Sequence, residues 1–146
     1  MNKDLKNYDI HSEIGNFLDT IPASLRKESI EEYKKFLQLK ILMKDTKTPA
    51  ILSPCEFVDI VWHTHLLMPI KYSEFCKQVF GQIIDHDLAG SKSSEDEKSL
   101  RLERYGIMVF ELFKVLFFVC LFDQMAERIS TRTHPAMYGT YHLKKI

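Results

Sequence analysis

The stretch that decides the fold is Val58-Asp-Ile-Val-Trp-His-Thr-His65. On a helix, where each residue turns by about 100°, apolar side chains cover both flanks of this segment, which is typical of a helix buried at the centre of a bundle. Asp59 and His63 then lie about 40° apart on one face, whereas His65 lies about 200° from His63. We therefore predict a buried central helix with Asp59 and His63 directed into the interior. Trp62 is expected to be a core anchor, and His65 to lie at the surface or at an interface.

Helical spacing recurs before this segment. An apolar stripe predicts a short first helix, and a second helix is expected to run from Pro22 to about Met43. Ser53 can cap the third helix and Glu56 can close a capping box, so the third helix carries the Trp-His-Thr-His motif and ends near Met68. The stripe of the first helix consists of Ile10, Ile14, Phe17, Leu18 and Ile21.

Two more helices are predicted after the motif. Apolar spacing over Tyr72–Phe80 predicts a fourth helix that stops at Gly81. Ser94 and Glu97 offer another capping box, which would open a long helix running to about Ile129. Strand-like alternation is nearly absent. The sequence therefore predicts an all-α fold, a single-domain bundle of about five helices around a buried central helix.

The composition bounds the class of protein. With 146 residues and 45% hydrophobic content, the chain is expected to form one all-helical domain over residues 1–146. Lys and Arg (20) balance Asp and Glu (20), which argues against nucleic acid or an anionic membrane as a partner. The apolar segment Ile107–Phe122 is interrupted by Glu111 and Lys114, so we expect a core helix there and no membrane span. Without an N-terminal apolar signal segment, a cytoplasmic protein with reduced thiols is expected.

Four ionisable side chains stand out in these apolar surroundings: Asp59, His63, Cys76 and His86. Such groups are costly to bury unless they are paired or bind a metal. Cys76 lies on the predicted inward stripe of the fourth helix and His86 on the loop after it, so both can converge with Asp59 and His63. One Asp, two His and one Cys form a plausible ligand set for zinc. Asp59 could instead accept the spare ring N–H of His63 and orient that ring.

The sequence leaves the role of this cluster open. Our first interpretation is a zinc site with a structural or regulatory role, which joins the third helix, the fourth helix and the following loop. Alternatively, the same groups could act on a small substrate, as a metal-dependent or a thiol–imidazole enzyme. A third alternative is a metal-free protein-interaction module with a polar core and an unknown protein partner.

Several motifs between residues 30 and 110 occur together in order and spacing. They are Tyr33-x-x-Phe36-Leu37, Ser53-Pro54, Val58-Asp59-x-x-Trp62-His63-x-His65, Tyr72-x-x-Phe75-Cys76, Phe80-Gly81 and His86. In these motifs the chain resembles the glycine-rich domain-containing protein-like family, which was once described as a domain of unknown function. The resemblance implies that the Asp-x-x-Trp-His-x-His core acts as a unit, and it implies no particular activity. Family members tend to have an aromatic-proline stretch after the last histidine, whereas this chain has Asp87-Leu88-Ala89.

Overall fold

The computed structural model describes residues 2–47, 51–86 and 92–113. Within those ranges the chain forms α-helices and short 3₁₀ turns and has no strand, so the predicted all-α bundle is confirmed. A single domain over 1–146 remains a prediction, because residues 114–146 lie outside the described part. The helices are α1 (Lys3–Asn7), α2 (Ile10–Ile14), α3 (Arg26–Leu42), α4 (Glu56–Leu66), α5 (Pro69–Phe80) and α6 (Glu95–Phe113), with 3₁₀ turns at Gly15–Phe17 and Ala23–Leu25.

The core is built where α3 meets α4 and α6. Phe36 on α3 makes edge contacts with the rings of Trp62 on α4, at 5.2 Å between centroids, and of Tyr105 on α6, at 5.3 Å. All three side chains are buried, as predicted for Trp62. Edge-to-face aromatic pairs add to the stabilisation that burial alone provides. Phe36 therefore ties the helix of the Trp-His-Thr-His motif to two of its neighbours.

The predicted first helix is only partly correct. Ile10, Ile14, Leu18 and Ile21 are fully buried, but Phe17 is 61% exposed. The α-helix ends at Ile14 and continues as a 3₁₀ turn, so the turn per residue changes and Phe17 leaves the stripe. A separate short helix, α1, precedes it and was not predicted.

The helix starts illustrate two different outcomes of capping motifs. The capping box at Ser94 is confirmed, because Glu97 N–H donates to Ser94 Oγ at 3.3 Å and Ser94 N–H donates to Glu97 Oε2 at 3.0 Å. The box predicted at Ser53 is wrong: α4 begins at Glu56, and its N-cap residue Cys55 makes no side-chain capping bond. Ser53 N–H is instead directed at the Arg101 carbonyl of α6, at 3.5 Å.

Two further predictions concern the end of α5 and the apolar segment of α6. The fourth predicted helix stops at Gly81, which adopts the left-handed conformation (φ 71°) that glycine accepts without strain. No helix in the described ranges is long and apolar enough to cross a membrane. The expectation for Ile107–Phe122 falls in part outside those ranges, since the description of α6 ends at Phe113.

Candidate metal centre

Three side chains with metal-ligating atoms converge at one end of the bundle. Asp59 and His63 lie one turn apart on α4, and His86 lies on the loop that follows α5. One potential ligand atom from each residue lies within 4.8 Å of the other two. Asp59 Oδ2 is 3.2 Å from His63 Nδ1, and Asp59 Oδ1 is 3.9 Å from His86 Nε2. Helix α4 and the loop after α5 therefore bring Asp59, His63 and His86 together, as the sequence predicted.

The cluster lies at the surface of the bundle, not in its interior. The side chains of Asp59 and His63 are 43% and 41% exposed, and that of His86 is 18% exposed. The expectation that Asp59 and His63 point into the core is thus wrong. The core side of α4 is formed by Val58, Val61, Trp62 and His65, which are the buried residues of this helix. Because apolar residues occur almost all round α4, the helical wheel alone could not tell which face the neighbouring helices cover.

Charge and hydrogen bonding couple the three groups. Partial burial would raise the pKa of the Asp59 carboxyl, but the hydrogen bond with His63 and the favourable interaction with the nearby His86 ring outweigh it and lower that pKa to about 2. The hydrogen bond with Asp59 raises the pKa of His63, against an opposing contribution from burial. His63 Nδ1 also lies 2.9 Å from the Asp59 backbone carbonyl oxygen. Both atoms facing Nδ1 are acceptors, so Nδ1 carries the proton, and Nε2 of the neutral ring offers the lone pair.

Packing and hydrogen bonds determine where His86 lies. Its ring contacts those of Trp62 and His63, each at 4.5 Å between centroids. Two residues earlier, the Ile84 carbonyl accepts a hydrogen bond from the Tyr72 hydroxyl at 2.6 Å. The same hydroxyl oxygen accepts one from Trp62 Nε1 at 3.1 Å. Sequence reasoning assigned Tyr72 only to a core stripe, and the spacing of one helix could not show this contact with the loop.

Cys76 is not among the ligand atoms that converge. The thiol is free and fully buried, on the inward side of α5 as its stripe indicated. Burial raises its pKa, although hydrogen bonds with the Ile84 backbone and with Tyr72 act in the opposite direction. The observation that separates the thiol from the cluster is its position, since the converging ligand atoms come only from Asp59, His63 and His86.

His65 belongs to a separate buried cluster, and its expected surface position is wrong, because it is 0% exposed. Its Nδ1 lies 3.0 Å from the Tyr33 hydroxyl of α3, and its Nε2 lies 3.4 Å from Glu13 Oε2 of α2. Burial lowers the pKa of His65 to about 4, and the charge of Lys71 acts in the same direction. The ring is thus neutral near pH 7. With the Tyr33 hydroxyl donating to Nδ1, the ring proton is on Nε2, which faces the carboxylate.

The donor set suits a divalent transition metal. Imidazole nitrogens and a carboxylate oxygen bind zinc at about 2.0–2.2 Å, which places donors roughly 3.3–3.5 Å apart in a tetrahedral site. The potential ligand atoms lie within 4.8 Å of one another, so reaching these separations needs small rotations of partly exposed side chains. Three protein donors leave at least one coordination position for water or another ligand. This arrangement differs from the four-ligand set expected from the sequence.

The fold and the site define a small all-helical domain with an Asp–His–His cluster at its surface. The chain belongs to the UCP032817-like family, whose model matches residues 2–107. The resemblance to glycine-rich domain-containing proteins is also confirmed. Glycine-rich domain-containing proteins 1 and 2 of Arabidopsis thaliana are each 29% identical to this chain over 72 residues. The match covers 49% of this chain but only 9% of each plant protein. No solved structure matches the chain.

Proposed function

We propose that this domain binds one divalent transition-metal ion, with zinc as the first candidate, through Asp59, His63 and His86. The observation that carries the proposal is the convergence of three ligand atoms within 4.8 Å from two separate elements of the fold. Nδ1 of His63 is directed at oxygen atoms of Asp59, which is how a carboxylate orients a metal-binding imidazole. The ion would compete with the proton that the Asp59–His63 pair favours, so its affinity should fall as the pH decreases.

A metal held in this way would keep a position open to solvent. Structural zinc sites in proteins are closed by four protein ligands, whereas three-ligand sites bind water or a substrate in the fourth position. The partial exposure of Asp59 and His63 supports access for a small molecule. We therefore favour a metal centre that binds or acts on a small exogenous ligand over one that only stabilises the fold. Cys76 has no part in this proposal, because its buried thiol is not among the converging ligand atoms.

A metal-free role for the same cluster is the second candidate. The pKa of Asp59 is lowered to about 2 and that of His63 is raised, so the two residues can form an ion pair without a metal. A partly exposed carboxylate–imidazole pair can transfer a proton to or from a bound small molecule. In that case the second histidine, His86, would orient the carboxylate.

Isothermal titration with ZnCl₂ distinguishes these candidates. The wild-type chain should bind one zinc ion, and His63→Ala and His86→Ala should each lose that binding. His11→Ala is the matched control, since His11 is exposed on α2 and outside the cluster. Binding that is equally strong in all variants would place the metal elsewhere. The absence of any zinc-dependent heat in the folded wild type would favour the metal-free pair.

A further inference from the structure

Tyr72 connects the two elements that supply the proposed ligands. It lies on α5 and is 4% exposed. Its hydroxyl oxygen accepts a hydrogen bond from the indole N–H of Trp62, the residue before His63 on α4. Its hydroxyl proton is donated to the Ile84 carbonyl, two residues before His86. A single buried hydroxyl therefore contacts both the α4 segment and the loop.

The direction of these two hydrogen bonds is fixed by chemistry. An indole N–H can only donate and a carbonyl oxygen can only accept, so the phenol must accept the first bond and donate the second. Burial raises the pKa of Tyr72, so the proton needed for the second bond stays in place. The hydroxyl is the only donor on the Tyr72 side chain, so no other group of this side chain can donate to the Ile84 carbonyl. The 2.6 Å separation to the Ile84 carbonyl is typical of a strong O–H···O bond.

The loop is also held on its other side. Asp85 N–H donates to the Thr46 carbonyl at 2.9 Å, in the segment that follows α3. The Ile84 side chain is fully buried. Between these anchors and the Trp62 ring, the His86 ring has little freedom to move away from His63. Besides the Asp85–Thr46 bond, two side chains of α5 hold the loop backbone at Ile84: the Tyr72 hydroxyl donates to its carbonyl, and the Cys76 thiol also hydrogen-bonds with its backbone.

We infer that Tyr72 is a positioning residue, which holds the Ile84 carbonyl and thereby places the His86 ring over Trp62 and beside His63. The expected effect of Tyr72 on metal affinity rests on the proposed function. Its expected effect on the position of the His86 ring does not require a metal. A phenylalanine at this position would preserve the packing of the ring on α5. It would leave the Ile84 carbonyl and the Trp62 N–H without their partner, so the loop could shift.

The test compares Tyr72→Phe with Tyr105→Phe in the full chain. Tyr105 is also buried, and its hydroxyl donates to the Glu32 backbone oxygen of α3 at 3.2 Å, which is outside the cluster. Zinc titration should give Tyr72→Phe an affinity about 10–100-fold below wild type, as for other groups that orient metal ligands, while Tyr105→Phe stays close to wild type. In metal-free protein, the NOE contacts between the Trp62 and His86 rings should weaken in Tyr72→Phe only.

The two readouts separate this inference from the proposed function. If the wild type binds zinc and Tyr72→Phe binds it equally well with the Trp62–His86 contacts intact, the positioning role is overturned. If the wild type binds no zinc but Tyr72→Phe alone loses those contacts, the metal proposal is rejected and the positioning role is supported. An equal loss of affinity in Tyr105→Phe would mean that general destabilisation is the cause, and would also overturn the inference.

Discussion

Replacing Trp62 by alanine should remove the side chain that joins the core to the cluster. Trp62 is 3% exposed, and its ring contacts Phe36 at 5.2 Å on one side and His86 at 4.5 Å on the other. The ammonium group of Lys40 lies 5.5 Å from the centre of the ring. The indole N–H is also one of the two partners of the Tyr72 hydroxyl. The substitution therefore affects packing and the position of the loop at once.

The expected loss of stability follows from these contacts. A buried tryptophan removes about 150–250 Å² from water. At about 25 cal/mol per Å², this area corresponds to roughly 4–6 kcal/mol, and measured Trp→Ala changes in cores are about 3–5 kcal/mol. The hydrogen bond with Tyr72 adds about 1 kcal/mol. We expect Trp62→Ala to lower the free energy of unfolding by about 4–6 kcal/mol, a large part of the 5–15 kcal/mol typical of a domain.

Urea unfolding followed by circular dichroism measures this change. Trp62→Phe is the graded control, because it keeps an aromatic ring against Phe36 but loses the N–H and part of the ring, at a cost of roughly 2 kcal/mol. A loss below about 1.5 kcal/mol for Trp62→Ala would refute the argument, since only a peripheral or readily refilled position gives so small a value.

Three further predictions concern single residues. Burial holds the pKa of His65 at about 4 in the folded protein, against about 6.5 in the unfolded chain, so the contribution of His65 to stability should be lost as the pH falls below about 6.5. In urea unfolding, the wild type should therefore lose about 2 kcal/mol more than His65→Gln between pH 7 and pH 5. A wild type that loses no more than His65→Gln would show that Glu13 retains the charged form. Gly81→Ala should lower the free energy of unfolding by about 1–2 kcal/mol because of the backbone φ of 71° alone, since nothing lies within 4 Å of the added Cβ. Thermal unfolding measures this change, and an unchanged melting temperature would show that the helix end can rearrange. Cys76→Ser should leave zinc affinity in titration near that of wild type, because the thiol is not among the converging ligand atoms; loss of binding would restore the thiol as a ligand.

Much of the helical framework could be predicted because it depends on local pattern. The end of α5 at Gly81 follows from the backbone freedom of glycine, and the start of α6 follows from reciprocal bonds between Ser94 and Glu97. The same signal failed at Ser53, where a long-range contact with Arg101 takes the place of the cap. Local propensity is overridden where a distant partner supplies a competing hydrogen bond.

The site was predictable in part for the same reason. Asp59 and His63 are neighbours on one helix, so their pairing follows from helical periodicity. The environment of His65 cannot be predicted from helical periodicity, because its neighbours Glu13 and Tyr33 come from two other helices. A stripe shows that Cys76 points inward, but it cannot show which residues lie opposite. Positions that depend on the packing of several helices are therefore beyond a reading of periodicity alone.

The metal content of the purified chain tests the central claim most directly. Protein prepared without chelator and without a nickel column should contain about one transition-metal ion per chain by elemental analysis, or take up one from added zinc. His63→Ala and His86→Ala prepared in parallel should contain well below one, while His11→Ala should match the wild type. A folded wild type that contains well below one ion, and whose melting temperature is unchanged by chelator and by added zinc, would contradict the account.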